Sequence, residues 1–216
     1  MTNIGGYTVK VSTGGMPQAV ESGFAKVFEN MVGASYTPIA YLGSKVVNGT
    51  NHAILCEQNL ITGKDVKSIV LVVLNEKPGD VRGDNFSIVE IRTLLSNGGA
   101  LGGVNIDPTT NISAEAKEVF DKHFGGFLGS TNKAFALLAT QVVHGLAYIF
   151  AVESDMVVSP SAMRKGTKSI NLVKLYSDYS EIETVEVLRG APVQEENASS
   201  GPLGYAFTWA TSPNWP

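Results

Sequence analysis

Shifted by 96 positions, the chain matches itself. Residues 20 to 57 then lie over residues 116 to 153, and ten of the 38 pairs are identical: Phe24/Phe120, Lys26/Lys122, Phe28/Phe124, Gly33/Gly129, Ala40/Ala136, Leu42/Leu138, Val46/Val142, Val47/Val143, Gly49/Gly145 and Glu57/Glu153. About two identities are expected from average composition, so the chain carries an internal duplication. The match continues as SIVLVVL (68–74) over SINLVKL (169–175) at a shift of 101. It returns to 96 for VEI (89–91) over VEV (185–187). Any fold that suits one copy has to suit the other.

Both copies read as a helix followed by strands. Residues 17 to 32 space Val20, Phe24, Val27 or Phe28, and Met31 as one apolar helical stripe. In the second copy Ser113 is placed to cap a helix, with Glu115 in its first turn and Ala116, Phe120, Phe124 and Phe127 as its stripe. These stripes are the expected contact between helix and sheet. Beyond Gly33 and Gly129 the periodicity changes, and 36–47, 50–57, 67–74 and 86–94 are rich in β-formers between turn residues. Residues 133–143, 146–155, 167–176 and 182–189 repeat the pattern. The expected fold is therefore α+β, with two tandem domains, each one helix packed across a four-stranded antiparallel sheet. SNGGALGG (96–103) marks the boundary, giving domains at 1–96 and 97–190, and a Pro/Gly/Ser-rich tail with aromatics at 191–216.

Composition narrows the function classes. The chain has 216 residues, 44% hydrophobic and 17% charged, as in an ordinary globular protein. With a net charge of −4 and no basic run, nucleic acid and anionic membranes are poor partners. No apolar stretch is long enough to span a bilayer. The N-terminus, MTNIGGYTVKVSTGG, lacks the layout of a signal peptide, so a cytoplasmic location is expected unless a leader has been removed. A single cysteine, Cys56, excludes an intrachain disulfide and a thiolate metal cluster. His52, His123 and His144 share no ligand spacing, so neither metal nor cofactor is expected, and no catalytic constellation emerges.

At the join of the first two strands of each copy stand KVVNG (45–49) and QVVHG (141–145). Helix, strand, Gln-x-Val-x-Gly at a hairpin tip, then strand resembles the cystatins, inhibitors of papain-like cysteine proteases. Gln141, Val143 and Gly145 match that pattern, with Val142 and His144 between them. Lys45, Val47 and Gly49 match it except at the glutamine, with Val46 and Asn48 between them, and the chain continues as GTNH (49–52), similar to the family's Gly-Thr-Asn-Tyr. The family's second contact is an N-terminal glycine pair. Here Gly5-Gly6 and Gly102-Gly103 each precede a hairpin by about 39 residues. Its third contact is a second hairpin, for which the first copy offers Pro78-Gly79 in EKPGD and the second offers SDYSE (177–181), unlike the family forms. The absence of disulfides is similar to the stefin branch.

The resemblance implies inhibition of a papain-like protease with no catalytic group of the inhibitor's own. What such a function needs is a wedge whose backbone lies close against the walls of a cleft. Glycine at the tip permits positive φ and close approach. The valine pair offers a stiff apolar edge that loses little entropy on binding. The alternative is a non-inhibitory interaction or scaffolding module in the same fold, including a homo-oligomer, since a fold does not fix a function. Arg82-Gly83-Asp84 reads as a solvated loop. The Asn-x-Ser/Thr triplets at Asn48, Asn111 and Asn197 are expected to be silent without a secretory signal. Cys56 and His52 share a strand face, but their repeat partners are Val152 and Tyr148, so both read as packing.

Overall fold

A computed structural model describes residues 6–61, 65–79, 85–97, 103–126, 129–143, 145–156 and 167–191. The first unit runs β1 (Thr8–Ser12), α1 (Gln18–Phe28), β2 (Ala34–Val47), β3 (Gly49–Ile61), β4 (Asp65–Glu76) and β5 (Phe86–Ser96). The second repeats the order as β6 (Val104–Thr109), α2 (Ala114–Phe124), β7 (Ser130–Val143), β8 (Gly145–Met156), β9 (Lys168–Tyr176) and β10 (Ile182–Arg189). Each unit is a helix on a five-stranded antiparallel sheet, ordered β1-β2-β3-β4-β5 and β10-β9-β8-β7-β6. The α+β class and the duplicated unit are as expected; the strand count is not. The fifth strand precedes each helix, where β1 pairs Thr8 with Ser44 and β6 pairs Val104 with Gln141. These strands are only 5 and 6 residues long and partly polar, which hid them.

The helices form for legible reasons, with one correction. Ser113 caps α2, its side chain accepting from the Ala116 amide at 3.3 Å. Glu115 lies in the first turn, and Lys122 and His123 in the last, which suits the helix dipole. Helix α1 has no side-chain cap and ends at Phe28, so Met31 lies beyond it rather than on its stripe. Val20, Gly23 and Phe24 face inward. Gly23 is a packing requirement, because a Cβ there would overlap the ring of Phe86. The expected stripe of α2 holds at Ala116, Phe120 and Phe124, whereas Phe127 falls outside the described residues.

Period-2 alternation sends the strand residues to two different cores. Ile54, Cys56, Val70, Val72 and Leu74 pack under α1 with Val20 and Phe24. Tyr148, Phe150, Val152, Val173 and Leu175 pack under α2 with Ala116 and Phe120. The intervening residues turn the other way. Leu42, Ala53, Leu55, Ile69, Leu71 and Val73 of the first sheet meet Leu138, Ile149, Ala151, Ile170, Leu172 and Val187 of the second in one continuous cluster. Both faces of each sheet are thus covered, giving the layer order helix, sheet, sheet, helix. Further ties cross between the units. The Ala191 amide donates to the Tyr7 carbonyl at 2.9 Å, and the Arg92 guanidinium donates to the Val187 carbonyl at 2.6 Å.

One core phenol carries a pH signature. Tyr148 is buried and donates to a Glu115 carboxylate oxygen at 2.8 Å. Burial, then the hydrogen bond and charge of Glu115, push its pKa up to about 12. The folded value lies above the unfolded value of 10.0. This contribution to stability is therefore complete below pH 10 and lost as the pH rises through about 12. An alkaline absorbance titration of the folded protein is expected to show one tyrosine ionising near pH 12 that Tyr148→Phe removes. An unchanged titration would mean that Tyr148 is not the phenol held up by burial beside Glu115.

Candidate functional site

In each unit the hairpin between the second and third strands turns at the repeated pentapeptide. Val47 pairs with Gly49 around Asn48, and Val143 pairs with Gly145 around position 144. Gly49 and Gly145 both have positive φ, +98° and +93°, which glycine adopts without strain. Strand alternation does not hide the valines, because the strands here project past the cores. Val46 and Val47 are 42% and 43% exposed, and Val142 and Val143 are 74% and 39% exposed. Lys45 and Gln141 sit one step further in, opposite Asn51 and Ala147.

The second hairpin of the first unit reaches the same end of the sheet. Thr50 pairs with Glu76, and the Lys77 amide donates to the Asn85 carbonyl at 3.0 Å while the Asn85 side chain donates to the Lys77 carbonyl at 2.7 Å. Between the two tips lies an open groove of about 660 Å³, lined among others by Val46, Val47, Thr50, Lys77, Pro78 and Gly79. Gly79 also has positive φ. Arg82-Gly83-Asp84 lies outside the described residues.

The second unit closes its tips differently. The Ser177 amide donates to the Leu146 carbonyl at 2.9 Å, and the Leu146 amide donates to the Ser177 hydroxyl at 3.2 Å. This draws Asp178 over Gly145, so a Cβ on that glycine would overlap the Asp178 carboxylate. The turn is fixed from behind by the stacked rings of Tyr176 and Tyr179, 4.2 Å between centroids, and by a Tyr176 hydroxyl bond to Glu183. His123 Nε2 on α2 contacts the Tyr179 carbonyl at 3.1 Å. The segment that departs from the family pattern is held by packing of its own.

The glycine pairs divide. Gly6 lies two residues before Thr8, which pairs with Ser44, and next to Tyr7, which bridges to Gly190. Gly6 is not a free arm, because a Cβ there would overlap Ala191, which itself is bonded to Tyr7. Gly103, beside Val104 opposite Gln141, is exposed with open space around its Cβ position. Gly5, Gly102 and His144 lie outside the described residues.

Behind the first unit's tips lies a polar cluster that the sequence reading missed. His52 is 6% exposed, with Nδ1 3.0 Å from the Tyr41 hydroxyl and Nε2 3.0 Å from a Glu76 carboxylate oxygen. Asn75, 9% exposed, donates to the Asn51 side chain at 2.7 Å and lies 3.4 Å from the Asn48 carbonyl. The available signal was a polar residue directly after the apolar run 69–74. His52 is therefore more than packing, whereas Cys56 is fully buried and burial raises its thiol pKa, which keeps it neutral. Among the described residues no group of three metal-ligating side chains forms, and no helix is long and apolar enough to cross a membrane. No protein family, curated protein or solved structure matches the chain.

Proposed function

We propose that the chain is a protein inhibitor of papain-like cysteine proteases, a duplicated, disulfide-free relative of the cystatins in design. The observation that carries this reading is the shared tip geometry. In each unit an exposed valine pair and a positive-φ glycine project from one end of a rigid sheet, beside a second hairpin. Such an edge can enter a narrow cleft with little entropy to lose, because β-branched side chains and paired strands are already ordered. No proton or covalent bond has to move for a cleft to be blocked.

Titration of active papain with the intact chain tests the proposal. Val47→Asp and Val143→Asp each place a charge on one tip at an exposed position, so melting temperatures should barely change. Each single variant is expected to lose one inhibitory site. The double variant should weaken inhibition by at least about 30-fold, the loss of a central contact worth roughly 2 kcal/mol or more. Inhibition by the double variant equal to that of the wild type would reject the tips as the site.

A second reading, a non-inhibitory interaction module, is favoured by one pair of observations. Gly6 is engaged with Ala191, and Asp178 lies over Gly145, so two of the expected contacts are committed within the molecule. Wild-type protein that leaves papain fully active at micromolar concentration would decide for this reading.

A further inference from the structure

The two copies share a tip sequence but not what stands behind it. In the first unit Asn51 and Asn75 face each other across β3 and β4, and the Asn75 amide donates to the Asn51 side chain at 2.7 Å. A side-chain amide carries two hydrogens, so the same nitrogen has one left for the Asn48 carbonyl, 3.4 Å away. Asn48 is the turn residue of the first hairpin, and Asn75 directly precedes Glu76 at the root of the second. One residue along, His52 contacts Glu76 at 3.0 Å. The absence of a side chain at Gly49 is part of the same arrangement, since a Cβ there would stand 3.3 Å from the Asn75 amide nitrogen.

In the second unit the facing pair is Ala147 and Tyr176. Alanine offers no acceptor, and the Tyr176 hydroxyl turns to Glu183. The amide bridge therefore has no counterpart at that pair.

We propose that Asn75, oriented by Asn51, is a positioning residue that holds the first hairpin tip of the first unit against its second hairpin, the task that Ser177 and Leu146 perform in the second unit. The inference rests on the tips being the binding surface. A buried, oriented amide fixes the turn before binding, and a turn fixed in advance loses less freedom on association.

The test uses the full chain, with papain as the probe. Asn75→Ala removes the donor, and Asn51→Ala, at a half-buried site, removes the acceptor that orients it. Each is made in two backgrounds, Val143→Asp, which leaves the first unit to bind, and Val47→Asp, which leaves the second. Inhibition is expected to weaken about tenfold in the first background, the scale of one or two lost neutral hydrogen bonds, and to stay unchanged in the second. General destabilisation would weaken both alike, so equal losses overturn the proposal, as does no loss in either. If the wild type does not inhibit papain, the function proposed above fails and the brace is read by amide hydrogen exchange. In Asn51→Ala the Gly49 and Thr50 amides should exchange about tenfold faster while the Leu146 amide does not change. Unchanged exchange at Gly49 and Thr50 rejects the brace without reference to any protease.

Discussion

Residues 1–97 expressed alone are expected to be insoluble or self-associated, not a monomeric half. Cutting the chain there exposes the sheet face carrying Leu42, Leu55, Ile69, Leu71 and Val73, all of which are buried against the other unit. Burial of such side chains is worth about 1.5–3 kcal/mol each, so the loss is on the order of 10 kcal/mol, comparable with the whole stability of an ordinary domain. The same holds for residues 103–191, whose exposed set includes Leu138, Ile149, Ile170 and Leu172. Light scattering on each half checks this, and co-expression is expected to restore a soluble pair of fragments. A monomeric half with a cooperative thermal transition would show that the central cluster contributes little.

Gly49→Ala is expected to be much more damaging than Gly145→Ala, although the two residues are repeat partners. Both have positive φ, and that strain alone costs about 1–3 kcal/mol in either place. The surroundings then separate them. At Gly145 the new methyl meets the exposed Asp178 carboxylate, the far end of a side chain that can swing away. At Gly49 it meets the Glu76 carbonyl oxygen, part of the β3–β4 ladder, with the Asn75 amide beside it. Relieving that overlap means moving backbone, so the total should exceed about 3 kcal/mol, a fall of roughly 6–12 °C in melting temperature for a chain of this size. Thermal melts of the two variants decide the matter. Equal falls would mean that the Glu76 strand yields as easily as a surface side chain.

The duplication made the fold legible. Ser113 announced a helix start through its side chain and position, and Gly33 and Gly129 announced helix ends through their change of period. What stayed hidden was relational. The run at 69–74 is apolar at every position, which signals a strand buried on both faces. The sequence does not say what lies on the second face, and here it is the other copy. β1 and β6 were missed because each is short and gains its order from one neighbour, β2 or β7. At the candidate site, the valine pairs and tip glycines were readable because local backbone geometry demands them. The Asn51–Asn75 and His52–Glu76 contacts join residues 24 apart, and only strand register brings them together.

The shared central layer also has a consequence for biosynthesis. When Ser96 has left the ribosome, the first sheet has all five of its strands but nothing to lay against its inward face. Residues 97 to 191 must still emerge, which at about 5–20 residues per second takes roughly 5–20 s. Throughout that interval the nascent chain displays a strongly apolar sheet face, the kind of surface that chaperones bind and that joins neighbouring chains on a polysome. Slowing translation inside the second copy should therefore increase aggregation, while a second copy supplied early in trans should suppress it.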